Sequence, residues 1–177
     1  MRKILAMILS SAIMVALVGC NNTPKENRQL SPPEDFSVCF SWWYVENGKN
    51  IMDTGEGILQ KDLVLDGTAS VEFQPDQDFL KNLYDIICEG DLLTITREMT
   101  SRELTTDDMV VNIEPSCSYE IAVRMNGDQF LISGDDSASL YTDEDALCFM
   151  STVHNLMEMT RNIPEWATLP KENGGYV

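Results

Sequence analysis

From Phe36 onward the chain alternates apolar and polar positions. The stretch "FSVCFSWWYV" puts Phe36, Val38, Phe40, Trp42 and Tyr44 on one side and mostly smaller residues on the other, the period of two expected of a strand with one buried face. "ENGKN" follows as a turn. A second strand is expected over Ile51 to Lys61, and a third over Thr68 to Phe73, where Ala69, Val71 and Phe73 alternate; Asp66-Gly67 marks the turn between them. Pro75 and Asp76 then open a helix in which Phe79, Leu80, Leu83, Ile86 and Ile87 recur at three- and four-residue spacing, ending near Glu89-Gly90. "TREMTSRELTTDD" has no clear period and reads as a loop or irregular edge.

The clearest local pattern is "SYEIAVRMNGDQFLIS", two alternating runs joined by Asn126-Gly127. That pair favours a type I′ hairpin turn, because both central residues need positive φ. A two-residue loop sets Met125 opposite Asp128, Val123 opposite Phe130 and Ile121 opposite Ile132, and the last four belong to the core face. Thr142, followed by Asp143, Glu144 and Asp145, reads as the cap and acidic first turn of a long helix. Ala146, Phe149, Met150, Val153, Leu156, Met157 and Thr160 lie along its apolar stripe, and Pro164 stops it. Strands, helix, strands, helix, with hairpin connections and no βαβ rhythm, predict an α+β fold: an antiparallel sheet of about five or six strands with two helices packed on one face.

The N-terminal pattern is of another kind. Arg2 and Lys3 precede an apolar run from Ile4 to Val18, and Gly19 and Cys20 close it. This is the layout of a secretory signal, and the run is shorter than the roughly 20 residues of a membrane-spanning helix. "LVGC" resembles the lipobox of bacterial lipoproteins, in which the cysteine receives a diacylglyceryl group and signal peptidase II cuts just before it. The expectation is a signal peptide over residues 1–19, a lipidated Cys20, a membrane held through that lipid, and a domain facing the extracellular side. Two acyl chains, at about 0.8 kcal/mol per buried methylene, suffice to hold a protein at a bilayer. Residues 21–35 carry three prolines and no apolar period, so a tether reaching roughly 20–45 Å is expected. Residues 36–177 are the right number for a single domain.

Charge narrows the partners. Loss of residues 1–19 removes Arg2 and Lys3 and no acid, leaving 10 basic and 29 acidic residues, a net −19. Nucleic acid and anionic headgroups are disfavoured, since binding phosphates draws on the scarce lysine and arginine.

"LVGC", "DTGEGILQKDLV", "ITREMTS" and the terminal "IPEWATLPKENGGYV" resemble uncharacterised lipoproteins of anaerobic Firmicutes, whose tails read P-E-aromatic, L-P and G-G-Y. The resemblance covers most of the mature chain. It implies export and a single domain type, and carries no catalytic residue.

No catalytic constellation follows from the residues. His154 is the sole histidine and falls at the edge of its helix stripe as a packed or half-exposed structural residue, so a Ser or Cys nucleophile has one imidazole to draw on. Cys39, Cys88, Cys117 and Cys148 are spread singly with no C-x-x-C, so no zinc site is expected. They allow three full disulfide pairings, and helical spacing places Cys88 and Cys148 off the apolar faces. "DDSASLYTDEDA" fails as a calcium loop, with Leu140 where glycine is needed and Ala146 where a bidentate glutamate is needed. No metal and no cofactor is expected. In "WWY", alternation turns Trp42 and Tyr44 to the core and leaves Trp43 on the other face as the candidate contact for a partner. The leading expectation is a non-catalytic interaction domain binding a protein, peptide, glycan or other envelope component; the alternative is an envelope hydrolase built on carboxylates.

Overall fold

Alternation along the first strand is realised as expected. Within β1 (Ser37–Trp43), Val38, Phe40 and Trp42 are buried. Antiparallel neighbours flank it on both sides: β2 (Lys49–Asp53), with Phe40 opposite Met52, and β5 (Ser118–Met125), with Phe40 opposite Ile121. The sheet continues through β3 (Ile58–Asp62) and β4 (Thr68–Glu72) on one flank and β6 (Asp128–Asp135) on the other, giving the order β4-β3-β2-β1-β5-β6. This computed structural model describes residues 31–45, 48–105, 110 and 113–176. The predicted signal peptide, Cys20 and the tether as far as Leu30 lie outside the described residues. Ser31–Val177 form one compact unit.

Helix α1 (Gln77–Cys88) is capped by Asp76, whose carboxylate accepts from the Phe79 N–H at 2.7 Å. It buries Leu83, Tyr84 and Ile87. Helix α3 (Glu144–Arg161) buries Ala146, Phe149, Met150, Thr152, Val153, Leu156 and Thr160. Edge contacts of Phe36 with Tyr84 (5.2 Å) and of Tyr119 with Phe149 (6.3 Å) seat both helices on the same sheet face. The fold is α+β, a six-stranded antiparallel sheet with its two long helices on one side.

Local readings need correction at several points. The run Ile51 to Lys61 is two strands, because the Asp53 side chain accepts from the Gly55 and Glu56 N–H groups (2.8 and 3.0 Å) and folds a turn between them. Asp143, not Thr142, caps α3, accepting from Asp145 and Ala146. The threonine-rich loop contains a short helix, α2 (Ser101–Leu104). Just before α2, the Met99 N–H donates to the Ser133 carbonyl (2.8 Å), and the Asp135 N–H donates to that of Met99 (3.0 Å), covering part of the β6 edge. Cys88 and Cys148 are partly buried against the core, because α1 and α3 also pack on each other and cover their flanks. Tyr44 lies one residue past β1 and is 45% exposed, outside the core.

Asp35, placed by composition in the tether, is bonded to the domain. Its carboxylate accepts from the Asn126 and Gly127 N–H groups (2.8 and 2.7 Å), which hold its pKa below the ordinary carboxylate value. The chain thus joins the sheet at the end where the β5–β6 hairpin turns. That hairpin has the predicted register, Met125 opposite Asp128 and Val123 opposite Phe130, with Asn126 and Gly127 at φ 55° and 82°.

Gly127 has open space around it, with nothing within 4 Å of an added Cβ, so a substitution there reports backbone conformation alone. Gly127→Val is expected to lower stability by about 1 kcal/mol or more, since a β-branched residue is forced to positive φ. A thermal melt of the variant overlaying that of the parent would contradict it.

Candidate functional site

The two sheet faces differ because the helices cover one of them. The other carries Ser37, Cys39, Ser41 and Trp43 from β1, with Ala122 of β5, Ile58 of β3 and Leu131 of β6. Ile58 and Leu131 are exposed. Trp43, the contact read from the sequence, does lie on this side and is half-buried. Its cross-strand neighbour Lys49 places its ammonium 3.8 Å from the ring centroid, so one ring face is already occupied by a cation.

A second feature lies at the same end of the sheet, on the helix side. A cleft of about 360 Å³ is lined by Trp42, Tyr44, Asn50, Asp62, Arg161, Trp166, Glu172 and Tyr176, among others. Trp42 and Trp166 form its floor with centroids 5.6 Å apart, and Tyr44 and Tyr176 form its rim at 5.1 Å. Arg161 stands in the last turn of α3, Asp62 ends β3, and the C-terminal segment returns to contribute Glu172 and Tyr176. Aromatic walls with a few convergent polar groups are the usual composition of a ligand site. Only Trp42 and Tyr44 were singled out by pattern. Trp166, Arg161 and Tyr176 arrive from segments more than 100 residues away, with no spacing to betray them.

The carboxylates of this cleft are already engaged. Asp62 accepts from the Val64 N–H (3.0 Å) and from the Tyr176 hydroxyl. Glu172 pairs with Lys61 at 3.3 Å, and the Lys61 ammonium lies 5.8 Å from the Trp166 ring. Such groups bind and orient; neither is a lone carboxyl poised for proton transfer.

The remaining candidates have structural partners. Asp136 accepts from the Tyr119 hydroxyl (2.5 Å) and the Cys117 N–H (2.8 Å), Asp135 accepts from the Ser137 N–H (2.8 Å), and Asp143 also pairs with Arg97 (2.7 Å). His154 is exposed on α3. Cys39 and Cys117 are free thiols; burial, reinforced by Asp53, pushes Cys39 up to about 12, and burial pushes Cys117 up to about 11. Both are protonated and poorly nucleophilic at neutral pH. No protein-family model matches the chain, and no curated protein matches it.

Trp42 and Trp43 are adjacent in sequence and opposite in role. Trp42, 5% exposed and stacked on Phe40 at 5.0 Å, is expected to cost about 3–5 kcal/mol on truncation to Ala. Trp43→Ala, which removes a half-buried ring and a cation–π contact, is expected to cost about 1–2 kcal/mol. Paired thermal melts decide this, and equal losses would make Trp43 a core residue.

Proposed function

We propose that the chain is a surface lipoprotein, anchored through Cys20, whose domain is a non-catalytic interaction module for a protein, peptide or other envelope component. The observation that carries the reading is positional. Asp35 fastens the incoming chain at the hairpin end of the sheet, while Trp43, exposed Val45 and the aromatic cleft sit together at the other end. Seven residues of β1 separate the two ends by about 23 Å. An anchored chain has use for binding groups at the end away from its attachment.

Further support comes from chemistry. Aromatic side chains supply contact area at low entropic cost, and Lys49, Lys61 and Arg161 cluster here in a chain with few basic residues. Among the described residues no helix is long and apolar enough to cross a membrane, and the lipobox supplies the means of attachment. The resemblance to Firmicute lipoproteins points the same way.

Two measurements test the reading. Cys20→Ala is expected to remain unprocessed and to take up no label from a fatty-acid precursor; equal label in variant and parent refutes the anchor. A benzoylphenylalanine at Val45 is expected to form adducts with an envelope component on irradiation of whole cells, and one at Leu147, exposed on the outer side of α3, is expected to form none. Absence of adducts at Val45, or equal adducts at both positions, refutes the binding end.

A further inference from the structure

The C-terminal segment crosses the cleft in two parts of different character. Asn173 is pinned: its N–H donates to the Leu63 carbonyl (3.3 Å), and its side chain accepts from the Leu65 N–H (3.2 Å) and donates to Asp66. Gly174 and Gly175 follow, and nothing lies within 4 Å of an added Cβ at Gly175. The link from Asn173 to Tyr176 therefore has no side chain to stiffen it. Tyr176 itself is seated, its ring tilted at 33° against that of Tyr44 and its hydroxyl donating to Asp62 Oδ2. Gly48 forms the third wall, where an added Cβ would stand 2.8 Å from both the Tyr176 hydroxyl and the Asp62 carboxylate.

These walls are held without the tail. The Asp62 N–H donates to Asn50 Oδ1 (3.0 Å), Asp62 Oδ1 accepts from the Val64 N–H (3.0 Å), and Tyr44 directly follows β1. With Tyr176 seated, Asp62 is only 4% exposed. An occupant that covers Asp62 Oδ2 without donating to it leaves a buried acceptor unpaired, which is costly, so the seat demands a hydroxyl as well as a flat ring. A phenol supplies both, and a phenyl ring supplies one. Burial, then the bond to Asp62, pushes the Tyr176 phenol up to about 12, so it stays a donor at neutral pH.

We propose that the notch formed by Tyr44, Gly48 and Asp62 is a binding site for a tyrosine side chain on an extended, glycine-flanked segment of a partner protein, with the chain's own Tyr176 as the resident occupant that the partner displaces. The inference stands apart from whether Val45 meets an envelope component, because the tail itself is the ligand that reveals the site. A short flexible link presents Tyr176 at an effective concentration on the order of 1 mM, which a partner's tyrosine must outcompete.

The test uses the full chain carrying Tyr176→Ala and a labelled peptide of residues 171–177 as probe, read by fluorescence anisotropy. The variant is expected to bind the peptide at least about tenfold more tightly than the unmodified chain, whose notch is filled. A peptide with Tyr176→Phe is expected to bind at least about tenfold more weakly than the tyrosine peptide, for want of the hydroxyl. No binding to the variant at about 1 mM peptide, equal binding to variant and parent, or equal binding of the two peptides overturns the proposal. A second readout is Gly48→Ala, which crowds the seat: the tyrosine peptide is expected to bind the chain carrying both Gly48→Ala and Tyr176→Ala at least about tenfold more weakly than the chain carrying Tyr176→Ala alone. An unchanged affinity overturns the role of Gly48 and the seat with it.

Discussion

Burial of alternate side chains along the central strand is the constraint on which the domain depends. Val38 and Phe40 are fully enclosed and Trp42 nearly so, each contributing about 1.5–3 kcal/mol. Because β1 pairs on both sides, its register is passed outward: Phe40 aligns Met52 and Ile121, and those in turn align Leu59 and Ile132 on the helix side. A slip of one residue would turn every one of these side chains to solvent. The same constraint places the aromatic residues of the far end. With Trp42 held inward, Trp43 must face the uncovered side, and Tyr44, beyond the last paired residue, is free to turn toward the cleft.

How much of this was legible depended on how local the cause was. The Asn126-Gly127 hairpin could be read because two residues carry the turn geometry themselves, and α1 could be read from Asp76 and its apolar spacing. The break between β2 and β3 was missed because the adjacent apolar pairs Ile51-Met52 and Ile58-Leu59 hide a change of phase: Met52 and Leu59, both inward, are an odd number of positions apart, and what separates the strands is a side chain, Asp53, bonding two residues ahead. The bridge from Met99 to β6 had no pattern, since one residue contributes both of its hydrogen bonds. The cleft was least legible. Trp42 and Trp166 meet across 124 positions, and nothing in the spacing of either predicts the other.

Gly48 illustrates why such sites escape a pattern reading. In sequence it belongs to "ENGKN", where glycine means a turn. In the fold its missing Cβ leaves room for the Tyr176 hydroxyl and the Asp62 carboxylate. The same residue serves the loop and the tail, and only the second role bears on recognition. Tyr176 likewise looks like a stray aromatic until Asp62, more than 100 positions away, is seen to accept its hydrogen bond.

Charge then decides how a partner would be recognised at this end. The chain as a whole carries −17, so its distant field repels acidic partners, but salt screens such fields beyond about 8–10 Å. Within that distance the far end is different in kind: Lys49 lies over Trp43, Lys61 approaches Trp166 and pairs with Glu172, and Arg161 lines the cleft. Each of these cations lies beside an aromatic ring or in an aromatic-lined cleft, so the surface offers flat apolar faces with charge at their edges and little net field. Selection at such a surface comes from shape and hydrogen bonding at contact, with long-range steering contributing little. The anchor and tether proposed above would suit that arrangement, because confinement supplies the encounters that a weakly attracting surface would otherwise lack.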